Sequence, residues 1–148
     1  MSKKLIVGVH FPYQVYHYNY NKKPFINSQL SILTVLPEGD NVKLCASKEE
    51  LDAIDDKDVE FYAVHVITTG YRFFKEWAKT VDKRKIIVGG THVSLYPEDF
   101  IDKAEKIVIG CCDDFYATIN QPGQIVKGIT NYKKFPRYDL IDLDKYDI

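Results

Sequence analysis

The sequence predicts an α/β protein with a doubly wound, five-stranded parallel sheet of the flavodoxin-like or Rossmann-like kind. Five short apolar runs alternate with segments of helical pattern along the 148 residues, as in successive βαβ units. The run 86–88 lacks polar alternation, which is typical of a strand covered on both faces. It passes directly into Gly89 and Gly90, the kind of turn at which open α/β sheets bind ligands.

The strands are assigned to the apolar runs 5–11, 42–46, 61–67, 86–88 and 107–109. Helices are predicted between and after them, at 27–36, 48–54, 71–81, 97–103 and 113–119. The fourth helix is predicted to begin at Pro97, which needs no amide donor in a first turn, and Glu98 and Asp99 oppose the positive end of the helix dipole. Right-handed crossovers favour the strand order 2-1-3-4-5, with the switch point between the first and third strands.

The alternation of strands and helices stops after Asn120. The following residues include Pro122, Gly123 and Pro136, and no further helical pattern is found. We therefore expect an α/β domain over 1–120 and a short C-terminal hairpin or linker tail over 121–148 that forms an appendage or a bridge to another module.

Composition narrows the class of protein. A chain of this length forms one domain, and its net charge of −1 gives no reason to expect nucleic acid or an anionic membrane as a partner. The N-terminal apolar run is too short for a membrane span, and the odd number of cysteines agrees with a reducing compartment, so a cytoplasmic protein is expected. The residues HFPYQ in and after the first strand contain no Gly-x-Gly-x-x-Gly turn, which disfavours a nicotinamide cofactor.

Four loops are expected to meet at the carboxyl edge of the sheet, at 12–23, 68–71, 89–95 and 110–114. The first is rich in aromatic and amide side chains and begins with Pro12 and Tyr13, so it could cover a large flat ligand or simply be a tyrosine-rich surface loop. Thr68, Thr69 and Gly70 could offer hydroxyl and amide donors to a phosphate or an amide, and plain helix capping explains them equally.

Several segments together resemble a known family. They are LIVGVHF, EFYAVHVITTG with its threonine pair, KIIVGGTHVSLYPEDF, KIVIG, QIVKGI and FPRYDLIDLDKYDI. In content and order they resemble the cobalamin-binding domain at the N-terminus of cobalamin-dependent radical S-adenosylmethionine enzymes, over almost the whole chain. The resemblance implies base-off cobalamin held as a methyl carrier at the carboxyl edge of the sheet.

The resemblance also implies which residues bind the cofactor. They are Pro12, Tyr13, Thr68, Thr69, Gly70, Gly89, Gly90, Thr91, His92, Val93, Gly110, Cys111 and Asp113. No histidine here stands in the Asp-x-His-x-x-Gly motif that ligates cobalt in mutases, so His92 would hold the loop or the nucleotide tail, unless it only caps local backbone groups. His65, inside an apolar strand, is interpreted as a core residue.

The chain departs from the family pattern in two places. Gly110, Cys111, Cys112, Asp113 and Asp114 replace the usual Gly-Glu-Gly-Glu turn. The Cys-x-x-x-Cys-x-x-Cys motif is missing, since the only other cysteine is Cys45, so this chain cannot hold the iron–sulfur cluster by itself. A radical S-adenosylmethionine catalytic domain would have to act with it, in cis or in trans, and no catalytic residue or metal ligand is assigned here.

Another class remains open. The chain could be a stand-alone Rossmann-like binding or interaction module that has lost cobalamin and binds another small molecule or a protein partner, and the altered 110–114 turn favours this alternative. A flavin protein is less favoured, because no Ser/Thr-rich phosphate loop follows the first strand.

Overall fold

A computed structural model of the chain describes residues 3–11, 27–45, 47–131 and 135–145. Its six strands are β1 (Leu5–Phe11), β2 (Val42–Leu44), β3 (Val59–Val66), β4 (Ile86–Gly89), β5 (Lys106–Ile109) and β6 (Ile125–Lys127). They form one sheet in the order β2-β1-β3-β4-β5-β6, and every neighbouring pair is parallel. The predicted Rossmann-like α/β fold is confirmed, with the predicted order for the first five strands.

The sheet has six strands, however, and the predicted number of five is wrong. Strand β6 lies within the predicted tail and pairs with β5, with Val108 opposite Val126. The sequence signal is weak because only three residues form the strand, and Val126 is the only buried one among them. The Gln124 side chain anchors the strand by donating hydrogen bonds to the carbonyl groups of Ile101 and Ala104, at 2.7 and 2.8 Å.

Five α-helices accompany the strands. They are α1 (Asn27–Val35), α2 (Lys48–Asp52), α3 (Tyr71–Ala78), α4 (Thr91–Leu95) and α5 (Phe115–Ile119). Side chains cap the N-termini of α2 and α5. The Ser47 side chain accepts a hydrogen bond from the backbone amide of Glu50, and the Asp114 side chain accepts one from the backbone amide of Ala117. These caps satisfy backbone donors that the first helical turn leaves without a partner.

The fourth helix differs from the prediction. It begins at Thr91, directly after Gly90, whose φ of 116° turns the chain sharply at the end of β4. Tyr96 then leaves the helical region, with φ −135° and ψ 61°, because the residue before a proline is disfavoured there. Pro97–Phe100 forms only a 3₁₀ turn, in place of the predicted helix over 97–103.

The two faces of the sheet bury different residues. The α3 face is covered by α2, α3 and α4, and its core includes Phe74, Trp77 and Phe100. The α1 face is covered by α1 and α5, and its core includes Leu33 and Phe115. Helices on both faces make the sheet doubly wound, as predicted.

The segment 135–145 lies against the end of α1. The buried guanidinium of Arg137 donates to the carbonyl groups of Pro37 and Gly39 and pairs with Asp139 at 2.8 Å. The backbone amide of Arg137 donates to the carbonyl group of Leu33 at 3.0 Å. In the part of the chain that the structure describes, no helix is both long and apolar enough to cross a bilayer.

Candidate functional site

A cavity of about 590 Å³ opens on the α1 face, at the carboxyl ends of β3 and β4. Helix α1 borders it on one side and α5 on the other, and Thr91, Ser94 and Leu95 of α4 lie at its mouth. The cavity thus lies beside the switch point between β1 and β3, where open α/β sheets bind ligands. The strands contribute Ala63, Val64, His65, Ile87, Val88, Gly89 and Val108, and the helices Ile32, Val35, Phe115, Thr118 and Ile119.

The sheet side of the cavity is mostly apolar and includes two small residues. Ala63 and Gly89 stand where larger side chains would fill the space. A Cβ added at Gly89 would have the Cβ of Val108 as its nearest neighbour, at 3.8 Å. Backbone packing therefore does not require glycine at position 89. Its lack of a side chain leaves room for a ligand in the cavity.

Two histidines meet at the switch point. His10 in β1 and His65 in β3 are register partners, and their Nδ1 atoms are 2.6 Å apart. Burial lowers the pKa of both imidazoles, that of His10 to about 3, with the facing His65 adding to the effect, and that of His65 to about 4. Both rings are uncharged at neutral pH, and His65 lines the cavity.

Five of the predicted binding residues line this cavity: Gly89, Gly90, Thr91, Gly110 and Cys111. Gly90 is constrained by more than its positive φ. A Cβ there would lie 2.7 Å from the carbonyl oxygen of Val66 and 2.9 Å from Cδ2 of His65. Gly90 therefore allows the loop after β4 to lie on the His65 ring.

The other described members of the predicted set lie outside the cavity lining. Thr68 and Thr69 are exposed in the turn after β3, and Val93 belongs to the core of the α3 face. Gly70 is required by packing, since a Cβ there would lie 1.5 Å from the carbonyl oxygen of Phe11. Asp113 is buried and accepts a hydrogen bond from the Asn131 amide at 2.8 Å. Pro12 and Tyr13, with the rest of the 12–23 loop, lie outside the described residues.

His92 is buried on the α3 face and does not line the cavity. Its Nε2 lies 2.9 Å from Oδ2 of Asp99, and its Nδ1 lies 3.2 Å from Oγ1 of Thr68. The ring also stacks on Tyr71, with 4.6 Å between ring centroids. His92 thus ties the turn after β3 to the turn after α4, through side chains and not through the backbone groups considered from the sequence.

The two cysteines at the cavity differ in exposure. Cys111 is exposed, whereas Cys112 is partly buried, with its Sγ 3.2 Å from Oγ1 of Thr118. Burial raises the pKa of the Cys112 thiol, so that side chain stays protonated at neutral pH. Among the described residues, no group of three or more His, Cys, Asp or Glu side chains is placed to hold a metal ion.

Sequence reasoning missed the histidine pair. It interpreted His65 as a core residue and gave His10 no role. The available signal was positional, because each histidine lies one residue before the last of its strand. Neighbouring parallel strands with ends at the same level place such residues side by side.

Comparisons of the chain with family models, curated proteins and solved structures give no match. The fold and the cavity therefore define a class only: a Rossmann-like α/β protein with an apolar cavity at the carboxyl edge of its sheet.

Proposed function

We propose that this chain is a cobalamin-binding domain related to those of radical S-adenosylmethionine methyltransferases. It would hold base-off cobalamin at the carboxyl edge of the sheet as a methyl carrier. The observation that carries the proposal is the apolar cavity of about 590 Å³ at that edge, between α1 and α5. The sequence resemblance led to the same edge through Gly89 and Gly90.

The residues present fit the cofactor. The nucleotide tail of base-off cobalamin ends in a flat benzimidazole, and apolar walls such as Ile32, Val35, Ile87 and Val108 suit a ring of that kind. Gly89, Gly90 and Gly110 would bring backbone close to the cofactor at the cavity mouth.

Bound cobalamin would supply methyl transfer through its cobalt, from S-adenosylmethionine to a substrate. The chain itself would bind and orient the cofactor. In the proposed complex the methyl-accepting chemistry belongs to a radical S-adenosylmethionine catalytic domain, in cis or in trans. The side chains of Phe135, Tyr138 and Leu143 in the C-terminal segment support such a partner, because they are 84, 62 and 55% exposed.

The alternative of a binding module without cobalamin is favoured by one observation. Cys111 and Cys112 line the cavity in the turn where the resemblance expects Gly-Glu-Gly-Glu. A ligand smaller than cobalamin that fills only the apolar cavity would suit this arrangement.

Absorbance titration with hydroxocobalamin and methylcobalamin, followed by desalting, tests the proposal. The parent chain is expected to keep the colour, with a base-off spectrum. Gly89→Leu fills the cavity from a position with free space, so we expect at least tenfold weaker binding, while Gly89→Ala serves as the matched small substitution and stays near the parent.

Equal retention of cobalamin by Gly89→Leu and the parent would refute this placement of the cofactor. Loss of colour from the parent on desalting would refute the cobalamin-binding function and favour the alternative, a binding module without cobalamin.

A further inference from the structure

The pair formed by His10 and His65 has an unusual hydrogen-bonding requirement. The two Nδ1 atoms are 2.6 Å apart, and the ring planes are inclined by only 22°. Two bare nitrogens at this distance would repel each other, and two N–H groups would clash. One proton must therefore lie between them, so that one ring donates and the other accepts.

This shared proton fixes the state of the outer nitrogens. In a neutral pair, the ring that donates from Nδ1 has a bare Nε2, and the ring that accepts at Nδ1 carries its proton on Nε2. Exchanging the two states takes two proton movements: the Nδ1 proton crosses to the other ring, that ring gives up its Nε2 proton to solvent or ligand, and the first ring gains one at Nε2. Nε2 of His65 can thus serve as an acceptor or as a donor.

Nε2 of His65 lies at the cavity wall. It is 3.1 Å from the position that a Cβ on Gly90 would occupy, and both residues line the cavity. Among the described residues, the only hydrogen bond of either imidazole is the one that joins them. A polar nitrogen without a partner costs free energy in an apolar site, and a ligand that pairs with it removes that cost.

We propose that the His10–His65 pair is the polar recognition group of this cavity, and that it binds an uncharged hydrogen-bonding atom on a planar aromatic ligand. The assignment of this ligand to the nucleotide end of cobalamin rests on the proposed function. The ligand atom is then the free benzimidazole nitrogen. His65 makes the contact, and His10 positions it by fixing which nitrogen of His65 holds the proton.

Benzimidazole and indene form a matched pair of probes, since indene has the same shape without the nitrogens. We expect benzimidazole to shift the ¹⁵N resonance of Nε2 of His65 in long-range histidine spectra of the whole labelled chain, and to shift the Nδ1 signals of both rings as the balance between the two neutral tautomer states changes. Indene is expected to leave these signals unchanged. Identical histidine shifts with both probes, or none with benzimidazole, would overturn the proposal.

Three variants add an affinity measurement. His65→Phe keeps a flat ring but leaves the His10 imidazole without its partner, which could disturb folding. The double variant His10→Leu/His65→Phe removes that imidazole as well. Each is expected to bind benzimidazole about tenfold more weakly, the loss of one hydrogen bond. Tyr62→Phe removes a buried hydroxyl on the α3 face, which bonds Asp56, and should bind like the parent. Unchanged affinity in both histidine variants would contradict the assignment.

The same variants separate this inference from the proposed function. If the parent retains cobalamin and both histidine variants retain it equally well, the function stands and the inference fails. If the parent does not retain cobalamin but binds benzimidazole in a His65-dependent way, the inference stands and the function fails.

Discussion

Gly89 and Gly90 are adjacent in the sequence but tolerate a side chain very differently. Gly89 has ordinary backbone geometry and open space beside it, whereas Gly90 has a φ of 116° and two atoms within 3.0 Å of any added Cβ. The first glycine therefore shapes the cavity, and the second allows the turn itself.

Substitution to alanine is expected to separate these two roles. Gly90→Ala should lower the free energy of unfolding by about 2–4 kcal/mol, because left-handed strain adds to a clash with the Val66 carbonyl. Gly89→Ala should change it by less than about 1 kcal/mol. Urea unfolding measures both, and equal losses would contradict the distinction.

The histidine pair should also make stability depend on pH. The folded-state pKa values of His10 and His65, about 3 and about 4, lie below the ordinary 6.5. Between about pH 4 and pH 6.5 the unfolded chain binds more protons than the folded chain. The free energy of unfolding is therefore highest above about pH 6.5 and falls as the pH drops towards 4.

Removing both rings isolates this effect. The parent should lose on the order of 5 kcal/mol more than His10→Leu/His65→Leu between pH 7 and pH 4.5, about half from each ring. Urea midpoints at several pH values measure the difference in stability between the two proteins. If the urea midpoints of the two proteins change with pH in parallel, the histidine pair is not buried in its neutral form.

At the level of elements, the side chain of Arg137 links the C-terminal segment to the chain just after α1. Arg137 is only 7% exposed, and its guanidinium satisfies the carbonyl groups of Pro37 and Gly39 beyond the end of α1. Its partner Asp139 is mostly exposed, with a pKa lowered by the guanidinium. The backbone carbonyl contacts are thus expected to matter more than the ion pair.

Arg137→Met tests this order of importance. It keeps much of the buried stem but leaves two carbonyl groups without their donor, so we expect a loss of about 2–3 kcal/mol and faster proteolysis near residue 135. Asp139→Asn should cost less than about 1 kcal/mol. Urea unfolding and limited proteolysis provide the two measurements, and a larger effect of Asp139→Asn would reverse the interpretation.

The sequence predicts elements well where burial alone determines them. The run LIVGVHF forms an interior, almost fully buried strand and was assigned with its observed bounds, Leu5–Phe11. The pattern gave the wrong start for the fourth helix, because backbone geometry determines it. The turn at Gly90 starts α4 at Thr91, six residues before the predicted start at Pro97. The pattern also failed at β6, an edge strand anchored by Gln124 from outside the run. The histidine pair depends on register between distant strands, which no local pattern contains.

In the whole molecule, the C-terminal residues are joined to the rest of the fold at two places, by the pairing of β6 with β5 and by the contacts of Arg137. Strand β6 covers the edge of β5, and Val126 joins the core of the α1 face together with Leu140 and Ile141. Loss of these residues would expose both the strand edge and that core.

A chain shortened to residues 1–120 is therefore expected to be much less stable than the full chain. Deleting the edge strand removes the backbone hydrogen bonds to β5 and the burial of Val126, for which we expect a loss of at least about 3 kcal/mol. Fluorescence of Trp77, the single tryptophan, reports the α3 face, and far-ultraviolet circular dichroism reports the whole sheet. In the full chain both probes should follow one urea transition. Two separate transitions, or an unchanged midpoint in the shortened chain, would mean that 121–148 is an independent appendage, as the sequence alone predicted.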